Sequence, residues 1–107
     1  MLIVTTEAIV GRSIVETLGL ARGNTIRARH IGRDVMAGLR TIVGGEIKEY
    51  TRMLDQARDQ AIQRMVKQAE SLGADAIVSV RFTTSQTMSG AAEILAYGTA
   101  VRLQSED

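Results

Sequence analysis

The chain of 107 residues contains no cysteine, no proline and no tryptophan, one histidine (His30), and only Tyr50, Phe82 and Tyr97 as aromatic residues. Without cysteine it can build neither a disulfide framework nor a thiolate metal centre, which fits a reducing compartment and makes the cytoplasm the expected location. A lone histidine leaves too few soft donors for a closed transition-metal site within one chain. The scarcity of aromatics removes the stacking platform that single-stranded nucleic acid needs, and so argues against nucleic acid as a partner. Long apolar runs are missing as well. Glu7 and Arg12 interrupt "MLIVTTEAIVGRSIV" before a secretory signal or a membrane span is complete, so no membrane insertion is expected.

What the chain does have is the composition of an ordinary globular protein, 45% hydrophobic and 23% charged, with a net charge of +1. Its length suits one domain over 1–107 with a core of modest size. Charge is balanced overall but not locally: Arg22, Arg27, Arg29, Arg33 and Arg40 fall in one stretch whose only acidic residue is Asp34. Guanidinium groups concentrated in this way suit acidic contacts at a subunit interface, or a small anionic ligand.

Hydrophobic periodicity predicts an α+β fold. Residues 2–6 read as a short strand at a sheet edge or subunit contact, and residues 13–22 as a second strand. Gly23 and Asn24 are the residue types of a tight hairpin, so 25–31 is expected to return antiparallel. Ile31, Val35, Met36, Leu39, Ile42 and Val43 have helical spacing and predict a short helix ending at Gly44. Ile47, Tyr50, Leu54, Ala57, Ala61, Met65, Ala69 and Leu72 then predict a long amphipathic helix closed by Gly73. At 1.5 Å per residue that helix is roughly 39 Å long, against a radius of gyration near ~13 Å for a compact chain of this size, so it should overhang its own sheet.

Two further strands follow. Residues 75–84 alternate Ala76, Val78, Val80 and Phe82 with Ser79, Arg81 and Thr83, and residues 93–103 alternate Leu95, Tyr97, Thr99, Val101 and Leu103 with Ala96, Gly98, Ala100 and Arg102. The expected architecture is an antiparallel or mixed sheet with one short and one long helix packed on one face. Its small-residue side would be free to meet another chain.

Gly44 and Gly45 stand in front of the long helix, where a phosphate-binding loop would be. Such a loop needs Lys and then Ser or Thr after its last glycine, whereas Glu46 and Ile47 follow here, and Glu46 and Glu49 would repel a phosphate at the helix start. The pair is therefore read as a turn, with Gly44 ending the first helix in a left-handed conformation and Gly45 capping the second. For a divalent metal ion the candidates are His30 and Asp34, completed by one residue per subunit around a symmetry axis. For a small anion they are Arg27, Arg29, Arg81 and Arg102, the last two lining an open sheet face with Thr5 and Thr6. No nucleophile and base can be paired by local spacing, which makes an enzyme the weaker reading.

The stretches "TIVGGEIKEYTRMLDQARDQAIQRM", "AESLGADAIVSVRF" and "AYGTAV" resemble the YbjQ family of small bacterial and archaeal proteins, and the resemblance runs from residue 1 to 103. It implies α+β subunits that assemble as pentameric rings in a β/α-propeller arrangement, so that the chain's main partner is itself. It also implies a role described as heavy-metal-binding, without a ligand motif that can be laid on individual positions. The shared residues are glycines, alanines and apolar positions, which bear on fold and assembly. Binding of a small anion or metabolite between subunits, or a purely structural assembly, are the alternative readings.

Overall fold

The computed structural model describes residues 1–27, 48–86 and 92–105. Along these run β1 (Leu2–Ile3), β2 (Ile14–Arg27), α1 (Lys48–Ser71), β3 (Ala76–Gln86) and β4 (Ala92–Leu103). The strands form one mixed sheet in the order β1-β3-β4-β2. β1 is parallel to β3, while β4 runs antiparallel to both β3 and β2. The short helix expected over 31–43 and the turn at Gly44 and Gly45 lie outside the described residues.

The buried stripe of α1 is Ala57, Ala61, Met65 and Ala69, which packs with Ala21, Ala96, Ala100, Ile77, Val80 and Ile94 of the sheet. The two faces predicted for β4 are both present. Their use is the reverse of the expectation, however: the small-residue face is not free for another chain but is the face on which α1 lies. Small side chains on both partners let the helix settle close to the sheet, where larger ones would hold it away. At Gly98 an added Cβ would come within 2.8 Å of Ile77 Cγ2 and 2.9 Å of the Val78 carbonyl oxygen.

The same requirement overturns the predicted hairpin. β2 runs unbroken through Gly23 and Asn24, which pair with Ala96 and Leu95 of β4. A Cβ on Gly23 would overlap the Ala61 carbonyl oxygen and the Met65 nitrogen, and would sit 2.7 Å from Arg64 Cβ. The glycine is there for close approach of strand to helix, and the Gly-Asn pair resembles a turn only when read without that helix.

A second correction concerns β3. Val78 pairs with Thr99 and Arg81 with Tyr97, so three steps on β3 match two on β4, and Ser79 within this bulge takes a left-handed φ of 56°. The bulge reverses the alternation. Ala76 and Val78 face away from α1, in a cluster with Val101 and Leu103, whereas Val80 faces the helix. A straight strand would have kept all three on one side, as the alternation in the sequence predicts.

Beyond β1 the chain stays on the sheet edge. Val4 N–H donates to the Ile77 carbonyl (3.0 Å), Val80 N–H to Val4 (3.1 Å) and Ser79 N–H to Thr6 (2.9 Å). Val4 and Ile9 then cover the cluster of Ala76, Val78, Val101 and Leu103. At the other end of the connection, Gly73 has φ 79° and closes α1 with N–H bonds from Gly73 to Glu70 (3.0 Å) and from Ala74 to Ala69 (3.1 Å), the pairing of a Schellman motif. The result is a slab of 58 × 24 × 17 Å with a radius of gyration of 17.3 Å, well above the ~13 Å of a compact chain this long. Among the described residues no helix is long and apolar enough to cross a membrane.

Candidate functional site

On the face away from α1, strand register arranges side chains in rows across β2, β4 and β3. Arg22, Tyr97 and Arg81 form one row; Asn24, Leu95 and Thr83 the next; Ile26, Glu93 and Ser85 a third. Leu20, beside Thr99, precedes them. Leu20 and Ile26 are 57% and 64% exposed, so this face carries apolar groups in water at both ends of the rows.

The first row is the most distinctive chemically. It places two arginines on either side of one phenol, with Cα atoms of the arginines roughly 10 Å apart across two strand spacings. Arg81 is held in position, its Nη1 donating to the Thr5 carbonyl and to the Val80 carbonyl, each at 2.8 Å. Arg22 is held through its backbone, whose N–H donates to Gln68 Oε1 at 2.6 Å. The carboxylate in these rows is Glu93, about 13 Å from Tyr97 along β4 and bonded by Asn24 Nδ2 at 3.3 Å.

Arg102 is not part of this arrangement. It pairs in register with Glu16, its Nη1 lying 2.8 Å from Glu16 Oε1, and its Nη2 lies by Gly73 at the end of α1. Arg81 and Arg102 were expected to share an open face with Thr5 and Thr6. The bulge at Ser79 puts them on opposite faces, and only Arg81 meets Thr5. The side chain of Arg27, and the whole of Arg29, His30 and Asp34, lie outside the described residues.

Among the described residues no group of three or more His, Cys, Asp or Glu side chains could hold a metal ion. The carboxylates scattered over the described residues, which include neither cysteine nor histidine, do not by themselves make a heavy-metal centre, which favours thiolate and imidazole. A cleft of about 310 Å³ is lined by Gly11, Arg12, Ser13, Gln104 and Ser105, with Arg12 Nη2 donating to the Gln104 carbonyl at 3.3 Å. It lacks the apolar walls that hold a small molecule.

The alternation in the sequence puts Phe82 on one face with Ala76, Val78 and Val80, and Tyr97 on one face with Leu95, Val101 and Leu103, and marks Arg22 only as part of a basic stretch. Tyr97 is part-buried on the open face and Phe82 is exposed. The neighbours of Tyr97 depend on strand register, which is a tertiary property with no local signal beyond the alternation itself.

A UPF0145 protein of Methanosarcina acetivorans is 61% identical over 103 residues, covering 96% of this chain and 97% of its own length. Another, from Archaeoglobus fulgidus, is 62% identical over 104 residues, covering 97% of this chain and 96% of its own. The fold is shared with the crystal structure of a DUF74-family protein of unknown function from Pediococcus pentosaceus, at a TM-score of 0.62 and 20% identity, over 97% of this chain and 98% of that one. The YbjQ family model, whose description reads "Putative heavy-metal-binding", matches residues 1–104, and with relatives at this level of identity the chain belongs to that family.

Proposed function

We propose that the protein is a homo-oligomeric binding module in which the open sheet face of one copy is covered by the next, closing a ring of about five copies as the family resemblance implies. The observation supporting this is the open face itself. Leu20 and Ile26 stand more than half exposed on either side of the Tyr97 row. Apolar groups gathered on one face of a small domain are a common mark of a protein contact. A second copy is the occupant that every solution of the protein supplies.

A heavy-metal centre of the kind named by the family description would then need His30 and Asp34 from several copies around the axis, since one chain has too few donors. Multi-angle light scattering and native mass spectrometry at micromolar concentration test the assembly, with a mass of about five subunits expected. A stable monomer under those conditions would overturn it.

A further inference from the structure

We infer that the open sheet face of one copy is covered by the β3-side flank of α1 and Phe82 of the next copy, so that copies meet head-to-tail. This rests on the proposed assembly and adds to it the identity of the covering surface.

The flank is fixed by what α1 does elsewhere. On one side of its buried stripe Arg64 and Gln68 reach the edge of β2, so helical spacing puts Ile62 and Val66 on the other side, toward β3. Both are half-buried, and only Val66 packs against the core. α1 lies mainly over β2 and β4 and hardly reaches β3. Phe82 shows the consequence. Cross-strand partners share a face, and the partner of Phe82 is Ala96, which is fully buried on the helix side, yet Phe82 is 44% exposed. Gly23, Ala96 and Phe82 form one row across the sheet, and Gly23 lies under Ala61 and Met65. Phe82 is therefore level with that helix turn, about 10 Å from Gly23 across two strand spacings. Ile62, Val66 and Phe82 make an apolar strip on the opposite side of the sheet from Leu20 and Ile26.

Charge selects which surfaces meet. Asp59 and Glu70 share the flank with Ile62 and Val66 by the same spacing, both are exposed, and neither has an ion pair among the described residues. The open face carries Arg22, also exposed and without an ion pair among the described residues. An apolar strip rimmed by carboxylates suits an apolar face that carries a free guanidinium, whereas two open faces placed together would set cation toward cation. Because the two surfaces differ, the contact is heterologous, the kind that can close into a ring.

The test mixes two variants. Leu20→Gln with Ile26→Gln breaks the open face and leaves the flank intact; Ile62→Gln with Phe82→Gln does the reverse. Sedimentation velocity and native mass spectrometry read the mass, and thermal melting reads folding. Each variant alone should associate at least about tenfold more weakly than the parent, the scale of lost anchor residues in a contact. Mixed in equal amounts they share one intact contact, and a particle of about two subunits, one of each variant, is expected. Asp59→Asn with Glu70→Gln, changed only at exposed positions, keeps the test clear of folding: it should associate more weakly than the parent at low salt and respond less to sodium chloride. A parent-sized oligomer from the flank variant and from the charge variant would overturn this inference alone and leave the open face covered by some other surface. A flank variant that melts lower yet keeps the parent mass would mean that the strip is covered within its own chain, which also overturns it. A monomeric parent would remove the assembly, and this contact with it.

Discussion

Gly23 of β2 lies against the Ala61 carbonyl of α1 so closely that a methyl group on the glycine would overlap it. The Met65 nitrogen is equally close, so the strand touches the helix backbone at one turn and not merely its side chains. Gly23→Ala must push the whole buried stripe of Ala57, Ala61, Met65 and Ala69 off the sheet, because no side chain there can rotate away to make room. A loss of about 3 kcal/mol is expected, the upper end for overpacking a filled core. Urea unfolding measures it, and parent-like stability would show that this contact does not organise the fold.

Much of the architecture is legible in the sequence, and the gaps have a common cause. Local periodicity finds α1, β3 and β4, because each has an apolar face that repeats at its own period. It cannot say which face of β4 the helix takes, since Ala96, Gly98 and Ala100 look like a face left bare until the equally small Ala57, Ala61 and Ala69 are brought against them. Gly23 was misread for the same reason: its partner is 38 residues away, at Ala61. The arginine row on the open face is further still from view. It depends on the strand registers and on a one-residue bulge, and neither leaves a mark that a single chain displays.

Thr25 offers a test of the core's polar economy. It is 2% exposed on the helix side of β2, and its hydroxyl has no hydrogen-bond partner among the described residues. An unsatisfied buried hydroxyl costs its desolvation without return, and valine has nearly the same shape and suits a strand. Thr25→Val should therefore raise stability by about 1 kcal/mol and lift the melting temperature. Thr25→Ala, which leaves a hole, should lower it. A destabilised valine variant would mean that the hydroxyl is satisfied after all.

Ser79 should reveal its strain through the order of its variants. A side chain at φ 56° costs roughly 1–2 kcal/mol relative to the right-handed region, whereas glycine takes that conformation freely but loses more entropy on folding. Ser79→Gly is expected to match or slightly exceed the parent in thermal stability. Ser79→Val, branched at Cβ, should be less stable by about 2 kcal/mol. If valine proves as stable as serine, the left-handed geometry is not what this position requires.

The last prediction concerns the edge of the sheet. β2 is an edge strand, and its outward groups at Arg22 and Asn24 would offer a template for pairing with any other exposed strand. Both are occupied by side chains from α1: Gln68 Oε1 accepts from Arg22 N–H at 2.6 Å, and Arg64 Nη1 donates to the Asn24 carbonyl at 2.5 Å. Because Gly23 brings the helix down between them, these two residues reach over the edge from a fixed position. Neither bond is deeply buried, so the double variant Arg64→Ala, Gln68→Ala should lose only about 1–2 kcal/mol of stability. Its larger effect should be on association, with the uncovered stretch pairing irregularly between molecules. Time-resolved light scattering and thioflavin fluorescence at 37 °C should rise in the double variant well before the parent, while Lys67→Ala, on the same helix and away from the edge bonds, should behave like the parent. Equal behaviour of all three would mean that the helix side chains do not guard the edge, and that the exposed remainder of β2 is kept apart from other strands by its twist and bulges alone.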